Sequence, residues 1–124
     1  MCRPSEHHIS TAVKSANDAA LSQFKHGCII FNKKKVISTG FNKPRFIPRL
    51  AAYHYPGLSL HAEADAILKA RREDLKRSTL LVIRLGRSKL CNSKPCEHCM
   101  SLIDAVGIKH VYYSDRDGYI RRLY

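Results

Sequence analysis

Two separated segments of the sequence carry side chains that could bind one metal ion together, and this constrains the fold more than any other feature. The first segment contains His61 and Glu63, and the second contains Pro95, Cys96 and Cys99. One His and two Cys are side chains that Zn²⁺ prefers, and three protein ligands leave its fourth tetrahedral position open, as in catalytic sites. The chain must therefore fold so that the two segments meet.

Helical geometry would bring these side chains to a common point. Cys96 and Cys99 have the spacing of neighbours on one helical turn, so both sulfurs can reach one ion. Pro95 suits the first position of that helix, and a helix N-terminus favours the thiolate that binds zinc. His61 is predicted to start a second helix. Glu63 is not needed as a ligand and is placed to carry a proton as a general acid/base beside a zinc-activated water.

A purely structural zinc site is the alternative interpretation. Such a site would need a fourth ligand, for which Cys91, His98 and His54 are candidates, and it would not need Glu63. The cysteine count is five, and the N-terminus shows no secretory signal. An odd count without a signal argues against a disulfide framework and for metal binding or reduced thiols. Cys28 lies in an apolar run and is predicted to be a small core residue.

Hydrophobic periodicity predicts the order helix, hairpin, helix, strand, helix, strand, strand. The predicted helices cover about residues 5–24, 60–72 and 95–107, and the predicted strands cover residues 27–31, 36–41, 78–85, 108–113 and 119–124. Strands that alternate with helices indicate an α/β fold. We expect a three-layer α/β/α sandwich with a five-stranded mixed sheet, whose last two strands are antiparallel because a tight turn joins them. Residues 1–124 are predicted to form a single domain.

The net charge of +12 is large for 124 residues. Charge of this size concerns partners rather than fold, and it favours a polyanionic ligand whose phosphates are neutralised by lysines and arginines. A solvated basic surface is the alternative. No apolar stretch has the length of a membrane span, and the N-terminus lacks the apolar run of a signal peptide. We therefore expect no membrane partner and a cytoplasmic or nuclear location.

The segment from residue 42 to residue 59 has no helical or strand period, and prolines interrupt it. It interleaves aromatic with basic side chains, namely Phe46, Tyr53 and Tyr55 with Lys43, Arg45 and Arg49. Such a mixture could stack bases while holding phosphates, as single-strand binders do. Alternatively, the aromatic side chains pin the segment to the core.

The H-x-E…P-C-x-x-C pattern matches the signature of zinc-dependent deaminases. Nearly the whole chain resembles the cytidine deaminase-like superfamily, which includes free cytidine and deoxycytidylate deaminases, nucleic-acid cytosine deaminases and tRNA adenosine deaminases. The resemblance implies that His61, Cys96 and Cys99 bind Zn²⁺ and that Glu63 is the catalytic proton carrier. Relatives are often dimers or tetramers, so a homo-oligomer is expected as well.

The resemblance also implies three substrate contacts. The stretch that ends at Asn42 looks like the family's strand with a Gly-x-Asn end, where the Asn holds the sugar. Ala62 is expected to offer its backbone to the edge of the base. Tyr113 falls where relatives often place an aromatic side chain beside the base.

The expected function is hydrolytic deamination of cytosine to uracil, and the net charge of +12 favours single-stranded DNA or RNA as the substrate. The alternative is the same reaction on free cytidine, deoxycytidine or (d)CMP, since the tight final turn resembles the free-cytidine branch. RNA adenosine deamination is a minor alternative, because the connection Gly86–Lys94 is longer and more basic than in tRNA adenosine deaminases. A non-catalytic, zinc-stabilised nucleic-acid-binding module is a further alternative.

Overall fold

The computed structural model describes residues 3–19, 25–43 and 60–124. In chain order the elements are α1 (Glu6–Asn17), β1 (His26–Asn32), β2 (Lys35–Phe41), α2 (Ala62–Lys69), α3 (Arg72–Leu75), β3 (Thr79–Leu85), β4 (Leu90–Cys91), α4 (Glu97–Ala105), β5 (His110–Ser114) and β6 (Ile120–Arg122). Most of the aromatic and basic segment, residues 44–59, lies outside the described residues, and so does His54. In the described part of the chain, no helix has the length and apolar character that crossing a membrane requires.

The strands form one mixed sheet in the order β2-β1-β3-β5-β6, and the short β4 pairs with the end of β3. Only β3 and β5 are parallel among the described pairs, and α4 lies in the crossover between them. β5 and β6 are antiparallel. The turn between them is held by the Asp115 carboxylate, which accepts the N–H groups of Asp117 and Tyr119, both at 2.9 Å. The predicted mixed sheet with antiparallel last strands is therefore confirmed.

Side chains of the central strands alternate between two cores, as the strand period of two requires. On β1, Cys28 and Ile30 face the core beneath α2 and α4, whereas Ile29 and Phe31 face the core beneath α1. β3 alternates in the same way along residues 80–83. Helices thus cover both faces of the sheet, and the three-layer α/β/α sandwich is confirmed.

The start of α1 is fixed by a reciprocal cap. Ser5 is the N-cap: its hydroxyl accepts the His8 N–H at 3.3 Å, and the His8 ring accepts the Ser5 N–H at 3.1 Å. The His8 ring also stacks on Phe31 with ring centroids 3.8 Å apart. The cap therefore fixes both the beginning of α1 and its position on the sheet.

Several elements differ from the prediction. The first helix ends at Asn17 rather than near residue 24. The helix expected over residues 60–72 is divided, because Ala70 is extended (φ −82, ψ 154) and separates α2 from α3. α4 begins at Glu97 rather than at Pro95, since Cys96 has the extended backbone of an N-cap (φ −73, ψ 168). The strand β4 was not predicted, because two residues are too few to show a period.

Gly40 allows β2 to approach α2, the helix that carries Glu63. A Cβ at this position would lie 2.4 Å from the Ala66 nitrogen and 2.5 Å from the Ala62 oxygen. Both are backbone atoms, so Gly40→Ala has to displace the helix and should lower the free energy of unfolding by about 3 kcal/mol or more. Gly107→Ala is the control, since it meets only the flexible Lys76 and strains a backbone with φ +85, at a cost of roughly 1 kcal/mol.

Urea unfolding of both variants measures the difference. Equal losses of stability in the two variants would contradict the close approach of Gly40 to α2.

Candidate active site

The two ligand segments meet because each one is the N-cap of a helix. His61 caps α2 and Cys96 caps α4, both with extended backbone, and neither side chain is used to cap its helix. Their backbone carbonyls begin the helices instead, by accepting the N–H groups of Asp65 at 3.0 Å and Met100 at 2.9 Å. The side chains are therefore available to bind a ligand, and two positive helix ends lie at the same site.

His61, Cys96 and Cys99 form the metal-type cluster found within the described residues, with their three ligand atoms all within 4.8 Å of one another. The His61 Nδ1 atom lies 3.3 Å from the Cys99 sulfur and 3.6 Å from the Cys96 sulfur. For Zn–N and Zn–S bonds of ordinary length, a tetrahedral ion separates its nitrogen and sulfur ligands by about 3.6 Å. The donor set and its spacing fit Zn²⁺.

Hydrogen bonding divides the two thiols into different roles when no metal is bound. Hydrogen bonds from Cys99 and His61 lower the pKa of Cys96 to about 3. The hydrogen bond with Cys96, together with burial, raises the pKa of Cys99. The hydrogen bond with Cys96 also raises the pKa of His61. One thiolate is thus already present to attract a cation, and zinc binding has to release the proton of Cys99.

Glu63 lies in the first turn of α2, and its side chain is buried, with the residue only 5% exposed. Burial raises the pKa of its carboxyl, while the neighbouring His61 and a hydrogen bond from Cys99 act in the opposite direction. A buried carboxyl with a raised pKa is the kind of group that can take up and deliver protons. The role of Glu63 as proton carrier stays a prediction.

Asp65, two residues after Glu63, is a buried carboxylate that the sequence analysis did not single out. It forms ion pairs with Lys43 at 2.9 Å and with Lys69 at 3.0 Å, and it accepts the Phe41 N–H at 3.1 Å. These contacts join the end of β2 to α2, two residues after Glu63. The i,i+4 spacing of Asp65 and Lys69 was a readable signal, but the contacts across to β2 were not.

The three predicted substrate residues lie on, or directly after, three different elements of the fold. Asn42 is buried at the end of β2, where its Oδ1 accepts the His26 N–H at 2.9 Å. Ala62 is the first residue of α2, whose initial N–H groups have no partner within the helix. Tyr113 on β5 packs against the core that contains Cys99. Their contacts with a substrate stay predictions.

Other candidate ligands lie apart from the cluster among the described residues. The metal-type group does not include Cys91 or His98, and His98 is exposed. The Cys91 thiol lies 3.9 Å from the Lys89 carbonyl in the β3–β4 hairpin. Cys28 is fully buried, as predicted, and burial raises the pKa of its thiol. Cys91, His98 and Cys28 therefore do not supply the fourth ligand that a closed structural zinc site would need.

Comparison with known proteins relates the chain to zinc-binding deaminases. Residues 3–115 match the family described as the cytidine and deoxycytidylate deaminase zinc-binding region. A deoxycytidylate deaminase of Mycobacterium phage D29 is 31% identical over an alignment of 133 positions, gaps included, which covers 91% of this chain and 97% of that protein.

Two solved structures share the fold. A cytidine deaminase from Burkholderia pseudomallei has a TM-score of 0.68 and 22% identity, over 96% of this chain and 91% of that one. The apo form of a dCMP deaminase from the cyanophage S-TIM5 has a TM-score of 0.64 and 21% identity, over 90% of this chain and 82% of that one.

Proposed function

Since the chain belongs to the cytidine and deoxycytidylate deaminase zinc-binding family, and is a zinc-type hydrolytic deaminase, we propose that its substrate is a cytosine nucleotide, with deoxycytidylate as the first candidate. The reaction would convert the cytosine ring and water to uracil and ammonia. The observation that carries the proposal is the convergence of His61, Cys96 and Cys99 beside the buried carboxyl of Glu63. We take residues 1–124 to act as one domain.

In this proposal His61, Cys96 and Cys99 hold the metal. Zinc, when bound, would supply Lewis-acid activation of a water molecule. Glu63 would take one proton from the attacking water and deliver it to the ring nitrogen of cytosine as the new C–O bond forms. It would then pass the remaining hydroxyl proton to the amino group, so that the C–N bond breaks and ammonia leaves. Glu63 is buried, and in the metal-free protein burial raises the pKa of its carboxyl.

The phage relative favours a nucleotide over a polynucleotide, because its name is deoxycytidylate deaminase and its length matches this chain. The net charge of +12 is compatible with either substrate, since both carry phosphate. The single-stranded DNA or RNA substrate expected from the sequence depends on that charge and on residues 44–59, which lie outside the described part. It remains the second candidate, and cytoplasmic or nuclear location and a homo-oligomer remain expectations.

The test is a comparison of zinc-loaded protein on dCMP, deoxycytidine and a cytosine-containing single-stranded oligonucleotide. We expect kcat/KM for dCMP to exceed that for deoxycytidine by about 10-fold to 100-fold, because a charged hydrogen bond to phosphate contributes about 1.5–3 kcal/mol. Ammonia release and the conversion of cytosine to uracil are measured in parallel.

A higher kcat/KM on the oligonucleotide than on dCMP would replace the proposal by the second candidate. Binding of zinc without turnover of any cytosine substrate would instead favour the non-catalytic module.

A further inference from the structure

A pair of buried serine hydroxyls lies beneath the connection that leads to Cys96. Ser93 is 4% exposed and Ser114 is fully buried, and their Oγ atoms are 2.8 Å apart. The Ser93 hydroxyl donates to the Val82 carbonyl at 2.8 Å and accepts the Ser114 N–H at 2.9 Å. The Ser114 hydroxyl donates to the Cys91 carbonyl at 2.6 Å. The pair thereby joins β3, β4 and β5 to the connection that follows β4.

Backbone contacts reinforce this junction. The Ser93 N–H donates to the Ser114 carbonyl at 2.8 Å, and the Arg84 N–H donates to the Ser114 hydroxyl at 3.2 Å. Each hydroxyl therefore bonds to main-chain groups of neighbouring strands. Replacing either serine by alanine removes these bonds, so the local backbone is held less firmly.

The position of Ser93 is transmitted to the metal ligand through a short and stiff segment. Only Lys94 and Pro95 separate Ser93 from Cys96. The proline ring fixes its own φ, and it restricts the residue before it to extended backbone. A further restraint is the Lys94 N–H, which donates to the Asn92 side chain at 3.3 Å. The backbone around Cys96 thus has few degrees of freedom once Ser93 is held.

We propose that the Ser93–Ser114 pair positions Cys96 for the metal and so sets the affinity of the site for zinc. The proposal rests on the proposed function only in taking Cys96 as a zinc ligand. Neither serine touches the metal or the substrate, so both are positioning residues. Residues that orient a ligand from outside typically change metal affinity by about 10-fold to 100-fold when they are lost.

The test compares Ser93→Ala and Ser114→Ala with the matched control Ser78→Ala. Ser78 is also fully buried, and its hydroxyl donates to the Leu75 carbonyl at 2.6 Å. It precedes β3, and its hydroxyl partner belongs to α3 rather than to the connection that leads to Cys96. The dissociation constant for zinc is measured by competition with a chromophoric chelator, and stability by urea unfolding of the metal-free protein. We expect zinc to bind about 10-fold to 100-fold more weakly to the two test variants, and with unchanged affinity to the control.

All three alanine variants should lose similar stability, so the zinc affinity separates positioning from a structural role. Ser93→Thr keeps the hydroxyl and should retain most of the affinity. Unchanged zinc affinity in Ser93→Ala and Ser114→Ala, with stability lowered as in the control, would overturn the proposal.

If a variant does not fold without metal, refolding at graded free zinc concentrations gives the same comparison through the midpoint of the zinc titration. Neither measurement uses a substrate, so a failure here leaves the proposed reaction untouched. Conversely, absence of turnover in the unaltered protein would leave the zinc affinities interpretable.

Discussion

Glu63→Gln should bind zinc as the unaltered protein does and lose about 10²-fold to 10⁴-fold in kcat on dCMP. Glutamine keeps the size and hydrogen-bonding shape of the side chain but cannot take up the proton of the attacking water. The three ligand side chains are unchanged, so the metal content should stay at one zinc per site. Metal analysis and steady-state turnover of the same preparation provide the measurement.

The matched control is Glu73→Gln, a glutamate on the short helix α3 whose side chain is 64% exposed and pairs with Arg71. It should retain full activity. Loss of zinc from Glu63→Gln, or turnover equal to that of the control, would show that Glu63 does not carry the proton.

The same substitution has an expected effect on stability, with a definite dependence on pH. Burial raises the pKa of Glu63 in the folded protein above its value in the unfolded chain. The free energy of unfolding therefore falls as pH rises from the pKa of Glu63 in the unfolded chain to its pKa in the folded protein. Above the folded pKa the loss of stability is complete. Metal-free Glu63→Gln lacks this penalty and should melt at or above the temperature of the unaltered protein at neutral pH. The advantage should disappear below about pH 4, where the carboxyl is protonated in both states.

Cys96→Ala should lose both zinc and activity. Zinc binding in small sites is worth about 10–16 kcal/mol in total, so one ligand of three or four contributes on the order of 3–4 kcal/mol, or about 10²-fold to 10³-fold in affinity.

Cys91→Ala is the matched control, because this cysteine is close in sequence and is not part of the metal-type cluster. It should bind zinc and turn over substrate normally. Full zinc occupancy in Cys96→Ala, measured after dialysis against a weak chelator, would show that the ligand set is misassigned. Loss of zinc in Cys91→Ala would return that residue to the list of ligands.

The ligand cluster and the layer structure could be read from the sequence for physical reasons. Ligand chemistry allows few combinations of side chains, so His61, Cys96 and Cys99 could be grouped before their positions were known. The central strands β1 and β3 are uninterrupted apolar runs because both faces of the sheet are covered. The antiparallel pairing of β5 and β6 followed from a turn that is too short for a crossover.

The parts that could not be read depend on contacts between distant segments. Ser93 and Ser114 are 21 residues apart, and neither has a local pattern that indicates a partner. Asp65 similarly joins α2 to Lys43 across 22 residues. The start of α4 was misplaced, since Pro95 is compatible with several positions near a helix N-terminus and only the backbone of Cys96 decides between them.

Cys99 belongs at once to the metal-type cluster and to the hydrophobic core beneath α2 and α4. One ligand of the candidate site is therefore part of the packed core that holds the sheet and helices together. A substitution that changes the packing around Ile103 or Ala64 should therefore move the Cys99 sulfur and also lower the free energy of unfolding. Changes of substrate specificity are therefore expected at residues outside this core, since substitutions inside it also reduce the stability of the fold.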